Sequence, residues 1–100
     1  MIDAMRQRTE FSRWLLLLSL NNARPVGAWE EVLLSIMQAM YVDATMHEIR
    51  RELDYLAGRG LIAIQKHPHG RWFSHITDAG VDVAEYTVDV NPGIARPRKY

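Results

Sequence analysis

The sequence predicts a mainly α domain with one small β-hairpin (α+β), its elements in the order α-α-α-β-β-α. Three observations carry this. Apolar residues recur at three- and four-residue spacing over successive stretches of the first sixty residues, the period of one helix face. Beyond Gly60 the pattern changes to two short runs rich in β-branched and aromatic residues around a turn. Between the two regimes, Thr45 stands three residues before Glu48, a helix-start signal in which each side chain can satisfy the other's backbone N–H.

At 100 residues the chain has room for one domain with a single core. Residues 1–90 are expected to form it, and residues 91–100 a basic tail. An apolar fraction of 48% is ordinary for a folded protein. With no cysteine there is neither a disulfide framework nor a thiolate metal site, which fits a reducing cytoplasm. The run Trp14–Leu18 is too short to span a bilayer, and the polar start does not read as a signal peptide.

Taken in order, Thr9 or Ser12 is expected to cap a first helix running to about Asn22. Phe11, Trp14, Leu15 and Leu18 form one stripe, while Leu16, Leu17 and Leu20 spread apolar surface around the cylinder. Such a helix is buried on several sides, either at the centre of the core or partly against a second subunit. Pro25 and Gly27 mark a loop. A second helix is expected from Ala28 to Met40, with Trp29, Leu33, Ile36, Met37 and Met40 inward and Glu30, Glu31 and Gln38 in water. Tyr41 to Ala44 turns the chain into the helix that begins at Thr45. There Ile49, Leu53 and Leu56 share one face, and His47, Arg50, Arg51 and Asp54 the opposite one. Gly58 and Gly60 end it. Leu61–Lys66 and Arg71–Ile76 then pair as a hairpin across His67-Pro68-His69-Gly70. Trp72 and Phe73 are consecutive, so one must point outward or into another subunit. Thr77 to Gly80 begins a last, acidic helix reaching about Val88, and Asn91-Pro92-Gly93 leads into the tail.

The element order resembles that of winged helix-turn-helix domains. The string Leu53-Asp54-Tyr55-Leu56 through Gly60-Leu61-Ile62 is similar to the junction between reading helix and wing in MarR-like and ArsR-like regulators, and Ile76-Thr77-Asp78-Ala79-Gly80 to the motif that follows their wing. The closing stretch, Gly80 through Pro97, resembles the end of small winged-helix proteins of Mu-like transposable prophages. That resemblance covers about Phe11 to Pro97. It implies a phage-encoded cytoplasmic protein of a bacterial host that binds DNA, as a transcriptional regulator or an accessory to DNA handling.

On that resemblance the reading helix is residues 45–57 and the wing residues 61–76. Thr45, Met46, His47, Arg50 and Arg51 then lie where such a helix meets base edges. Arg50 or Arg51 suits a two-pronged contact to guanine, and Lys66, His67, His69 and Arg71 crowd the wing tip, where cations neutralise phosphates. Arg96, Arg98 and Lys99 offer tail contacts. Double-stranded DNA is the expected partner, read by a homodimer because paired half-sites double a small helix's specificity. About five phosphate contacts imply a log–log salt slope of roughly −4 to −5. Replacing Arg50 and Arg51 together by Ala is expected to abolish binding without unfolding the domain.

Against DNA stands the charge balance: twelve basic and twelve acidic residues give a formal net charge of zero, whereas DNA-binding domains are typically basic. Glu48, Glu52 and Asp54 on the reading helix would repel a DNA backbone, or would tie up its arginines in pairs such as Arg50–Asp54. The competing expectation is therefore a protein-interaction module with this fold and no DNA affinity. No metal or cofactor is expected: His67 and His69 across a proline turn, without Cys or carboxylate nearby, read as plain wing residues. No enzyme is expected either. Ser12, Ser19, Ser35 and Ser74 sit inside elements without a nucleophile motif, and no glycine-rich phosphate loop is present.

Overall fold

The computed structural model describes residues 3–99. In these residues the order is α1 (Ala4–Asn22), β1 (Ala28–Trp29), α2 (Glu30–Met40), α3 (Met46–Gly58), β2 (Ile62–Lys66), β3 (Trp72–Ile76) and α4 (Asp78–Ala84). Three helices begin where a short polar side chain accepts an otherwise unpaired N–H. Asp3 accepts from Arg6 at 3.1 Å, Thr45 from Glu48 at 3.2 Å and Thr77 from Gly80 at 3.2 Å. At α3 only half of the expected reciprocal cap forms, because the Glu48 carboxylate turns to Arg8 instead. The first helix starts at Ala4 behind Asp3 rather than at Thr9 or Ser12, and Ser12 is fully buried.

The all-round apolar surface of α1 has a simple cause. It touches α2, α3, α4 and β3, and is the axis of the core. Leu16, Leu17 and Leu20 are buried among Leu33, Met37, Ile49, Leu53 and Leu56, and Leu15 and Leu18 flank the same cluster. A second subunit is not needed to cover it.

The hairpin forms as expected, with Ile62 opposite Ile76 and Lys66 opposite Trp72. The sheet has a third strand that the sequence pattern does not announce. Ala28 and Trp29, expected as the start of α2, pair with Ser74 and Phe73, giving the antiparallel order β1-β3-β2. Gly27 makes this approach possible: its φ is +108°, and a Cβ there would run into the carbonyl oxygen of Ser74. Strand alternation turns Ser74 and Ile76 into the core and Phe73 outward, where the ring meets Trp29 edge-on at 5.0 Å.

On α2, Leu33 and Met37 are buried as expected, but Glu30 is buried too, while Ile36 and Met40 lie on the exposed side. The last helix stops at Ala84, short of Val88, and Tyr86 takes a positive φ of 64°. The segment after Asn91 lies along α1 and α3. Ile94 is buried in the core, Ala95 N–H donates to the Glu10 carbonyl at 3.0 Å, and Arg13 donates to the Gly93 carbonyl at 3.0 Å.

Candidate nucleic-acid interface

The outward surface of α3 carries His47, Arg51 and Asp54, with Thr45 exposed at its cap and Met46 half-buried. Two of the three acids expected to spoil this surface are withdrawn from it. Glu52 is only 1% exposed and accepts from Arg13 at 2.8 Å and Arg51 at 3.0 Å. Glu48 faces α1, where Arg8 grips it through two nitrogens at 2.9 and 2.8 Å and reaches Asp43 at 2.9 Å with a third. These carboxylates hold the Arg8 guanidinium more firmly protonated than usual. Only Asp54 stays outward, matched by the Lys66 ammonium of the wing at 3.2 Å.

Arg50 departs most from expectation. It is neither free for a base nor paired with Asp54. Its guanidinium grips Glu30 at 2.6 and 2.7 Å, donates to the Gly70 carbonyl at the wing tip at 2.6 Å, and lies 4.7 Å over the Trp72 ring. Glu30 is 3% exposed and also accepts from Trp72 N–H at 3.1 Å. The hydrogen bonds from Arg50 hold the Glu30 carboxyl below the ordinary carboxylate range, against burial, which pushes it up. One carboxylate thus fastens α2, α3 and the hairpin to each other. The reason is geometric: pairing of β1 with β3 delivers Glu30 beneath the wing, twenty residues before the arginine it meets.

The rest of the wing is similarly engaged. Arg71 bonds Glu31 at 2.6 Å and sits 4.1 Å over Trp29, and its guanidinium lowers the Glu31 pKa. His67 and His69 stack with rings 9° from parallel and centroids 5.1 Å apart, both beside Trp29. His69 Nδ1 accepts the Arg71 N–H at 3.3 Å, so the pair serves as wing-tip packing. Among the described residues, no group of three potential metal-ligating side chains gathers anywhere.

The tail residues behave differently from one another. Arg96 folds back, donating to the Val83 and Val88 carbonyls at 3.0 and 2.8 Å and covering the Tyr86 ring at 4.3 Å. Arg98 and Lys99 are exposed. Among the described residues neither forms an ion pair, and nor does Arg59, whose Nε meets the Tyr55 hydroxyl at 3.3 Å. Arg8 and Arg59 were not among the residues expected at the site. Arg59 stood plainly between two glycines, but nothing local links Arg8 to α3, forty residues on. Arg8, Asp43, Thr45, His47 and Arg51 line a hollow of about 300 Å³ beside the first turn of α3.

No protein-family profile matches the chain, and neither does any curated protein. Among solved structures, it is similar to a Ralstonia eutropha JMP134 protein provisionally described as DNA-binding, with a TM-score of 0.65 and 21% identity over 78% of this chain and 95% of that one. At that identity the likeness is one of fold. The fold is a winged helix. In the described residues, no helix is long and apolar enough to cross a membrane.

Proposed function

We propose that this chain binds double-stranded DNA, with α3 as the reading helix and the β2–β3 hairpin as the wing, and that two copies read paired half-sites. Its role is that of a transcriptional regulator or DNA-handling accessory of a Mu-like prophage, in the cytoplasm of a bacterial host. One observation carries the reading: the first two turns of α3 offer Thr45, His47 and Arg51 to solvent, while Glu48 and Glu52 are turned inward and neutralised. The Ralstonia protein of like fold, itself provisionally described as DNA-binding, supports it. In this reading Arg51 and His47 approach base edges, with Thr45 and Met46 beside them. The wing residues Lys66, His67, His69 and Arg71 fit against the backbone by shape, with Arg50 as their brace. Arg98, Lys99 and Arg59 meet phosphates, and Arg96 anchors the tail.

Fluorescence anisotropy at two salt concentrations, on DNA from upstream of its own gene and on unrelated DNA, tests the proposal. With about four loosely held cations in contact, the expected log–log slope is roughly −3 to −4. The second reading, an interaction module without DNA affinity, is favoured by the ion pairs that consume Lys66 and Arg71. Absence of binding at low salt would overturn the DNA reading and leave this one to be tested.

A further inference from the structure

The strongest feature left unused by the DNA reading is the outer face of α2. Val32, Ile36 and Met40 follow at four-residue spacing and are 51%, 37% and 53% exposed. Ser35 and Ala39 lie exposed between them, and Val42 just beyond is 88% exposed. Of the seven large apolar side chains this open among the described residues, Val32, Ile36, Met40 and Val42 are four. Contiguous exposed apolar surface of this kind marks an interaction site.

Charge and pattern together define the occupant. The strip itself has no charged residue, and the acids at its two ends, Glu31 and Asp43, are already paired with Arg71 and Arg8. A charged partner therefore finds nothing to neutralise here. The order of the side chains is also its own complement. If two α2 helices cross antiparallel about a two-fold axis at Ile36, Val32 of each copy faces Met40 of the other and Ile36 faces Ile36. Ser35 and Ala39 are small enough to let the helices approach. An interface of one 11-residue helix extended by Val42 sits near the lower limit for specific association, roughly 1,000 Å² in total.

We infer that this chain forms a symmetric dimer through the outer face of α2, with Ile36 on the axis. The inference rests on the paired-copy part of the reading above and not on its DNA part, so a mass measurement and a DNA titration fail separately. At this size the dimer is expected to be weak, with a dissociation constant on the order of micromolar, so the mass is read well above that concentration.

Light scattering after gel filtration, on the full chain at about 100 μM and without DNA, should give twice the 11.6 kDa chain mass. Ile36→Glu and, separately, Met40→Glu should return the mass to that of one chain with unchanged far-UV circular dichroism. Because the chain has no cysteine, Ile36→Cys introduces a single thiol. On mild oxidation it should form an intermolecular disulfide, while Val88→Cys, exposed beyond α4, should not. A wild-type mass of one chain overturns the inference. So does a dimer that survives both Glu variants, or cross-linking that is equal at positions 36 and 88.

Discussion

The wing and the tail carry the same kind of side chain to opposite ends. On the wing side each cation is matched: Arg50 by Glu30, Arg71 by Glu31 and Lys66 by Asp54. On the tail side Arg96 meets carbonyls and a tyrosine ring, and Arg98 and Lys99 form no ion pair among the described residues. A guanidinium that is the sole cation on a buried carboxylate, as Arg50 is on Glu30, is a fastening, and pulling it away to a phosphate would strand that carboxylate. Arg51 is not bound in this way, because Arg13 also holds Glu52. An unmatched cation carries no such cost. The basic residues that first suggest a DNA contact are thus, in part, the ones the fold has used for itself.

Glu30 is the fastening whose loss should cost the most. Replacing it by Ala leaves the Trp72 N–H without its acceptor and removes the hub between α2, α3 and the hairpin. The expected cost is about 2–3 kcal/mol in urea unfolding, from a half-buried donor left unsatisfied and a lost charged hydrogen bond. Arg98→Ala with Lys99→Ala should stay within about 0.5 kcal/mol of wild type, as surface changes do. Equal stability losses in the two variants would mean that Glu30 is no fastening. For the same reason Arg50→Ala combined with Arg51→Ala is expected to lower stability as well as DNA binding, and so is not a clean test of DNA contact.

What the sequence revealed follows from the range of each interaction. The cap of α3 lies within three residues of the helix it starts, and the hairpin follows from its own turn, so both were legible. The strand at Ala28–Trp29 was not, because two residues become a strand only through partners 46 and 44 residues away, Ser74 and Phe73. Glu30 looked like a first-turn acid in water for the same reason: its partners Arg50 and Trp72 are distant in the chain. Helical periodicity placed Ile36 and Met40 inward with Leu33 and Met37. A spacing of three and four residues cannot tell a core stripe from an adjoining apolar strip that faces a partner. The candidate site suffered most, since the direction of each arginine depends on where the acids lie in space. Nearest-neighbour logic offered Asp54 to Arg50, whereas the fold supplied Glu30.

Acid acts on the same carboxylates. Arg50 and Arg71 hold Glu30 and Glu31 below their ordinary value of 4.5. A carboxyl depressed in the folded state contributes stability that is complete above its unfolded value and lost as pH falls through the folded one. Wild type should therefore lose melting temperature below about pH 4.5, and Glu30→Gln should lose less over the same window. Parallel melting curves for the two proteins from pH 6 to pH 3 would show that this carboxylate is not the linked group.

The smallest effects decide where the free charge acts. Lys66 and Asp54 are both about half exposed, at 54% and 53% of their side chains. Such a pair contributes roughly 0–0.5 kcal/mol, so Lys66→Ala should barely move the unfolding midpoint. In DNA titrations it should change the salt slope little, because its charge is already offset by Asp54 and few counterions are displaced on its account. Removing Arg98 and Lys99 together should instead lower the slope by roughly 2, uniformly across DNA sequences, since phosphate contacts carry no base information. Comparable slope changes in the two variants would show that matched and unmatched cations meet DNA alike. The wing would then open its ion pairs on binding, and the division between fastening and contact would hold only for the free protein.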